Sequence, residues 1–154
     1  MLGDHKASRQ DRIDALKFLI HFVGDIHQPL HAIGDALGGN DIRISEFGSS
    51  QCGTRPCNLH FAWDIGLIEH TGRREAAYVG YLEMLVSLKG LSPLAGGSPE
   101  IWANESFHFA TEVWLKDGGS VDAAYFQKNI ESLNERLALA GLRLANMLNQ
   151  ALGK

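Results

Sequence analysis

The chain has 154 residues, a formal net charge of −4 at pH 7 and a pI of about 5.9. Its length suffices for one domain with a hydrophobic core, and its 45% hydrophobic and 21% charged residues are typical of a globular protein. No apolar run is long enough to span a bilayer, and the acidic balance argues against a nucleic-acid surface built from Lys and Arg. The composition still allows affinity for phosphate that comes from bound cations.

The first part of the chain is predicted to contain one long helix, a loop and a strand. A helix over residues 8–28 has Ser8 as its candidate N-cap, apolar residues at helical spacing, and Pro29 as its stop. The Gly-rich residues 32–41 predict a loop. Apolar and polar residues alternate over residues 42–47, which predicts one short strand.

Residues 48–57 are predicted to form a tight turn that contains both cysteines, Cys52 and Cys57. Their spacing allows a local disulfide, which would suit an exported protein, and free thiols are the alternative. The pair is not a zinc motif by itself, because a structural zinc site needs a second pair of ligands.

Helical patterns continue to the carboxyl end of the chain. Helices are predicted over residues 58–69 and 73–89, from Pro99 towards Trp114, and from Asp122 onwards, with a Gly/Pro/Ser loop between the second and third of these. The last helix carries an apolar stripe with members three and four residues apart, which is typical of a core face. The stripe consists of Phe126, Ile130, Leu133, Leu137, Ala140, Leu144 and Leu148.

These patterns together predict an all-α fold. We expect a helical bundle of about five helices with one short strand or hairpin near residues 42–47, forming a single domain over residues 1–154. A sheet of three or more strands would contradict this prediction.

Two His-x-x-x-Asp pairs stand out as candidate metal ligands. His21 and Asp25 lie on one face of the first predicted helix, and His60 and Asp64 lie on one face of the second. His31 follows the proline break between them. Zinc binds imidazole and carboxylate groups, and three protein ligands leave a position for water, as in catalytic sites. The spacing alone does not decide whether these pairs form a metal site or are ordinary polar pairs on a helix.

The motifs around these residues resemble the zinc-dependent single-strand-specific nucleases of the mung bean nuclease type. Bacterial zinc phospholipase C is a more distant relative of that family. The matching segments follow one another along the chain: HFVGDIHQPLH at residues 21–31, GGN at 38–40, NLH at 58–60, WD at 63–64 and AGLRLA at 140–145. The resemblance implies a mainly helical, phospholipase C/nuclease-like fold that holds up to three Zn²⁺ ions.

The same resemblance implies roles for individual residues. His31, His60 and Asp64 would bind one zinc ion, and His21 and Asp25 a second, with Asp25 bridging to a third. His21 and Asp25 would then support catalysis by a zinc-bound hydroxide. The family hydrolyses single-stranded DNA and RNA to 5′-mononucleotides and removes 3′-phosphates from nucleotides.

Further matches concern substrate choice. Leu37 and Asn40 match positions beside the family's base-binding pocket, which implies a part in substrate binding. Phospholipase C typically has Glu where this chain has Asp64, so the resemblance favours the nuclease branch. A phospholipase C-like hydrolase remains the alternative of a different substrate class.

The chain has no counterpart of the family's amino-terminal ligands, which leaves His31, His60 and Asp64 as the one complete set. His5 could replace a missing ligand, but its polar surroundings favour a frayed terminus. A catalytically impaired metal-binding fragment is therefore a second hypothesis, and we expect weak activity.

Two expectations concern location and assembly. The intact parent is expected to be secreted or periplasmic by resemblance, although no apolar leader follows Met1 here. Without its family partners, the helix over residues 10–28 should expose an apolar face and support self-association, most simply as a homodimer.

Overall fold

Helices carry most of the chain in the computed structural model, which describes residues 2–153. Short 3₁₀ turns at Pro29–Ala32 and Ser92–Ala95 lie between them. The longer helices are α1 (Arg9–Asp25), α2 (the consecutive segments Leu59–Phe61, Ala62–Gly66 and Leu67–His70), α3 (Glu75–Lys89), α4 (Pro99–Val113) and α5 (Ala123–Leu152). A single helical turn at Ala36–Gly39 lies between α1 and α2. The prediction of an all-α bundle of about five helices is confirmed. Of the helices in the described residues, none has the length and apolarity that a membrane crossing requires.

Side-chain caps fix where the first and last helices begin. The Ser8 side chain accepts a hydrogen bond from the Asp11 N–H at 3.1 Å, and the Asp122 carboxylate accepts one from the Tyr125 N–H at 2.9 Å. The helix α1 ends at Asp25, three residues before the predicted end. The next residues form a tight turn held by backbone bonds to the third preceding residue, so the chain is already turning before Pro29.

The strands are short and form two separate pairs. The strand β1 (Ile44–Glu46) lies inside the predicted strand over residues 42–47. Its partner β4 (Gly119–Val121) is parallel and lies 75 residues further along the chain, joined by a Ser45–Ser120 hydroxyl bond. The other pair is an antiparallel hairpin of β2 (Gln51–Cys52) and β3 (Arg55–Pro56). A Cys52–Cys57 disulfide closes this hairpin, so the predicted disulfide is confirmed and the free-thiol alternative is wrong.

The main core lies where α2, α4 and α5 meet. Trp63 of α2 is 2% exposed, and its indole N–H donates to the Tyr125 hydroxyl at 2.8 Å. That hydroxyl donates in turn to the Val113 carbonyl at 2.6 Å. Every residue of the stripe predicted on α5 is buried or half-buried. Because Trp63 is anchored to two other helices, the adjacent Asp64 is held at a defined place on the rim of this core.

Candidate metal centre

His31, His60 and Asp64 meet at one corner of the molecule. Each offers a ligand atom, and these three atoms lie within 4.8 Å of one another. One Asp64 oxygen is 3.3 Å from His31 Nε2, and the other is 3.3 Å from His60 Nε2. The side chains of His31, His60 and Asp64 are 26%, 19% and 35% exposed. We call this set the closed trio, because its side chains are less exposed than those of His21 and Asp25, although solvent still reaches them.

The helix α2 places two of the three side chains. Asn58 caps its first turn by accepting a hydrogen bond from the Phe61 N–H at 2.8 Å. His60 lies in that turn, and Asp64 follows in the π-helical segment Ala62–Gly66. Widened helical turns of this kind occur often at functional sites. The third side chain, His31, comes from the 3₁₀ turn that packs against α4.

A strained turn supports His60 from behind. The His60 Nδ1–H donates to the Gly38 carbonyl at 2.8 Å, which leaves the Nε2 lone pair directed towards the trio. Ala36 and Leu37 have φ angles of 45° and 52°, which non-glycine residues rarely adopt. At Gly38, φ is 64°, and an added Cβ would lie 2.6 Å from the Leu30 carbonyl oxygen. The predicted loop thus contains a turn that places the Gly38 carbonyl against His60.

The surroundings of the trio keep Asp64 in its charged form. The hydrogen bond to Asp64 raises the pKa of His60. Burial opposes this rise, and the hydrogen bond to Gly38 adds to it. Burial by itself would raise the pKa of Asp64, but hydrogen bonds from His31, His60 and Gln28 outweigh it and lower the pKa. Asp64 is therefore a carboxylate beside two imidazoles, and zinc accepts such a set of donors.

His21 and Asp25 continue the same line of side chains towards solvent. His21 Nε2 lies 3.3 Å from one Asp25 oxygen, and the other Asp25 oxygen lies 3.6 Å from His31 Nδ1. The side chains of this open pair are 64% and 41% exposed. Phe18 and Phe22 flank His21 on α1 with stacked rings 5.7 Å apart, and both are exposed. The structure thus links all five predicted ligands in one row.

The two residues predicted to bind substrate lie on the turn beside the trio. Leu37 is 69% exposed, and its carbonyl accepts a hydrogen bond from the Asn40 side chain at 2.9 Å. Asn40 also lines a cavity of about 570 Å³ together with His60 and Asp64. The β2–β3 hairpin also lines this cavity, where Arg55 offers a cation. Sequence reasoning missed Arg55, because a single arginine between two cysteines gives no signal by itself.

Sequence reasoning also missed a buried polar network behind the His31 turn. Arg143 of α5 has a side chain only 3% exposed and donates to both Glu105 oxygens of α4, at 2.7 and 3.0 Å. It also donates to His27 Nε2 at 2.8 Å, while His27 Nδ1 donates to the Val23 carbonyl. Burial lowers the pKa of His27 to about 4. Both ring nitrogens of His27 are thereby engaged away from the trio, whereas His5 lies exposed near the first residues.

Comparison with known proteins gives a consistent picture. A family model described as S1/P1 Nuclease matches residues 1–153. Endonuclease 2 of Arabidopsis thaliana is 31% identical over 163 residues, which cover 95% of this chain and 54% of that protein. Nuclease S1 of Aspergillus oryzae is 30% identical over 90% of this chain and 54% of its own length. Nuclease P1 of Penicillium citrinum is 27% identical over 99% of this chain and 63% of its own length. The chain spans about half the length of the first two relatives.

Proposed function

Because the chain belongs to the S1/P1 nuclease family, we propose that it carries a zinc-dependent site for hydrolysing phosphodiester bonds in single-stranded nucleic acid or 3′-nucleotides. The observation that supports this proposal most is the closed trio, in which His31, His60 and Asp64 converge within 4.8 Å. The relatives are named as nucleases and endonucleases, and we extend that activity to this chain as a proposal.

The closed trio fits zinc by its chemistry. It offers two imidazole nitrogens and one carboxylate, and the second nitrogen of His60 is occupied by a backbone carbonyl, as is usual for histidine ligands. Zinc bound there would supply Lewis acidity, which makes water a better nucleophile near neutral pH and offsets charge on the phosphoryl oxygens. The acidic chain itself, with its net charge of −4, offers little other positive charge for a phosphate.

The open pair is the proposed catalytic element. Asp25 has one oxygen towards His31 and one towards His21, and its side chain is 41% exposed. The carboxylate can therefore accept a hydrogen bond from an incoming water or bind a further ion, and His21 holds it in place. We propose that both residues act from the solvent side of the trio, where a phosphodiester would approach.

The cavity beside the trio is the proposed substrate site. Its lining by Asn40, Arg55 and Phe61 combines a hydrogen-bonding amide, a cation and an aromatic ring, which suit a base and its phosphate. Leu37 would offer an apolar surface at its edge. The disulfide in the adjacent hairpin suits an oxidising compartment, so we propose a secreted or periplasmic parent protein.

A second candidate is a metal-binding protein with little catalytic power. The exposure of the open pair favours it, since the side chains of His21 and Asp25 are more exposed than those of the closed trio. A cluster of ions clamps both the attacking and the leaving oxygen in two-metal catalysis, and a single ion would give a weaker clamp. The two candidates differ in turnover and agree in metal binding.

The test compares substrates on the zinc-loaded chain. We expect release of nucleotides from single-stranded DNA, much less from the matching duplex, and none of it in the presence of a chelator. His60→Ala should abolish the activity, while His108→Ala, which changes an exposed histidine of α4, should leave it unchanged. Bound zinc without turnover would favour the second candidate. Headgroup release from phosphatidylcholine in place of DNA cleavage would favour a phospholipase.

A further inference from the structure

We propose that Gln28 is a positioning residue for the metal centre, which rests on the proposed zinc site. Its single amide group contacts Asp64 of the closed trio and, at the same time, the turn that carries His31. The nitrogen binds the carboxylate of Asp64, and the oxygen binds the backbone of the turn that carries His31. Gln28 therefore fixes two candidate ligands relative to each other, although they are far apart in the sequence.

The bond to Asp64 restrains the carboxylate. Gln28 Nε2 donates to Asp64 Oδ1 at 2.7 Å, across a separation of 36 residues. The same oxygen lies 3.3 Å from His31 Nε2, and the other oxygen lies 3.3 Å from His60 Nε2. A carboxylate with one oxygen held in this way cannot rotate freely, so its second oxygen keeps its direction. Partners of this kind orient a ligand before the metal arrives.

The second bond fixes the turn that carries His31. Gln28 is the N-cap of the 3₁₀ turn Pro29–Ala32, and its Oε1 accepts a hydrogen bond from the Leu30 N–H at 2.5 Å. Pro29 has no N–H, so Leu30 supplies the first donor that this turn has to satisfy. Leu30 is 1% exposed, which anchors the turn in the core.

The two bonds also fix the orientation of the amide itself. An amide oxygen only accepts and an amide nitrogen only donates, so a flipped Gln28 would place nitrogen against the Leu30 N–H and oxygen against the Asp64 carboxylate. Both contacts would then be repulsive. The side chain thus has one satisfactory orientation, as a positioning element requires.

A purely local role as a helix cap is the competing explanation, and two variants separate the roles. Gln28→Asn keeps an amide at the N-cap, where asparagine is a favoured residue, but it is one methylene too short to reach Asp64 as Gln28 does. Gln28→Met fills similar space and removes both bonds. Ser8→Ala is the matched control, because it removes a helix cap whose hydrogen bonds go to Asp11 and not to the trio.

The experiment measures zinc affinity by competition with a chromogenic chelator and records the visible spectrum of the Co²⁺-substituted chain. We expect Gln28→Asn to weaken zinc binding by roughly 10- to 100-fold and to shift the Co²⁺ bands. Gln28→Met should weaken binding at least as much. Ser8→Ala should lower the melting temperature and leave zinc affinity and spectrum unchanged.

Other outcomes overturn the inference. If Gln28→Asn binds zinc as tightly as the unaltered chain and gives the same Co²⁺ spectrum, Gln28 is a cap only. If Ser8→Ala weakens zinc binding as much as Gln28→Asn, the effect is general destabilisation. If the unaltered chain does not bind zinc, the proposed function fails and the role of Gln28 fails with it.

Discussion

The two His-x-x-x-Asp pairs have the same spacing and the same separation, yet they lie in different surroundings. In each pair the closest nitrogen and oxygen are 3.3 Å apart. His60 and Asp64 are 19% and 35% exposed, whereas His21 and Asp25 are 64% and 41% exposed. Helical spacing alone therefore brings the two side chains together, and the contacts around a pair decide whether it is preorganised.

Those contacts differ in kind between the two regions. The closed trio is supported by a backbone carbonyl from Gly38, an amide from Gln28 and a buried indole at Trp63. The open pair is flanked instead by the exposed rings of Phe18 and Phe22. We expect the closed trio to bind one metal ion without further help, and the open pair to need additional ligands or the first ion.

The two aspartates should differ strongly in how much bound zinc depends on them. Asp64→Ala should remove about one zinc ion per chain, whereas Asp25→Ala should retain it. Because a metal that binds only the folded state stabilises it, the loss should amount to about 2.7 kcal/mol at a zinc concentration 100 times the Kd. Metal counting measures the bound zinc, and thermal unfolding in the presence of zinc measures the stability. Equal metal loss in the two variants would show that the surroundings of the two pairs do not decide which one binds the first ion.

The turn behind His60 offers a sharper test with a matched control. Gly38 and Gly72 have φ angles of 64° and 65°, but an added Cβ at Gly72 meets nothing within 4 Å. Gly72→Ala should therefore show only the cost of the backbone conformation, about 1 kcal/mol. Gly38→Ala adds a clash with the Leu30 carbonyl, so we expect roughly 2–3 kcal/mol and weaker zinc binding.

Urea denaturation with a chelator and a separate zinc titration measure the two effects of these glycine variants. If Gly38→Ala and Gly72→Ala behave alike in both measurements, the Gly38 carbonyl does not support His60 in the way the geometry indicates.

The network behind the closed trio predicts a dependence on pH. Hydrogen bonds from Arg143 lower the pKa of Glu105, although burial opposes them and Arg136 adds a further bond. The folded state therefore favours the carboxylate form of Glu105. Its contribution to the free energy of unfolding is fully present above the ordinary glutamate pKa and is lost as the pH falls through the lowered pKa of Glu105. Glu105→Gln should reduce the free energy of unfolding by roughly 1–3 kcal/mol at pH 7.

The difference between Glu105→Gln and the unaltered chain should shrink as the solution is acidified below about pH 4.5. Denaturation curves at a series of pH values provide the measurement. Glu112→Gln, an exposed change on the same helix, is the control and should show no such narrowing. A difference that stays constant with pH would contradict the argument.

The exposed aromatic rings beside the open pair predict a weak effect on assembly. Phe18 and Phe22 are 59% and 60% exposed on one face of α1, as predicted for that helix. We expect this face to support weak self-association, most simply a dimer, and Phe18→Ser with Phe22→Ser to reduce it. Leu88→Ser on α3, another exposed apolar residue, is the control. A monomer by sedimentation at high concentration would refute the expectation.

Much of the site could be predicted because its signals are local. The pairs at helical spacing and the caps at Ser8 and Asp122 are short-range patterns, and the structure reproduces the caps directly. The disulfide also depends on two cysteines close in sequence. Patterns within one turn of a helix or one tight turn are visible in the sequence because their physics involves few residues.

The rest depends on contacts between distant segments. Arg143 looks like an exposed helical arginine in the sequence, and its burial requires Glu105 of another helix. Gln28 reads as part of a helix, and its bond to Asp64 becomes visible only when α2 is placed beside it. The predicted end of α1 was three residues too late for the same reason, since Gln28 leaves the helix to cap the next turn.

The parallel pairing of β1 with β4 can form only after β4 has been synthesised, so this step of folding follows the order of synthesis. During translation, β1 and all three residues of the closed trio emerge well before β4. Each residue of β4 lies 75 residues after the β1 residue with which it pairs. The core that backs the trio is also late, because it includes Ala110 of α4 and Leu133 of α5. Closing so large a loop is slow compared with forming a helix. We therefore expect the nascent chain to present its metal ligands unshielded, and the finished site to form only after α5 has been released.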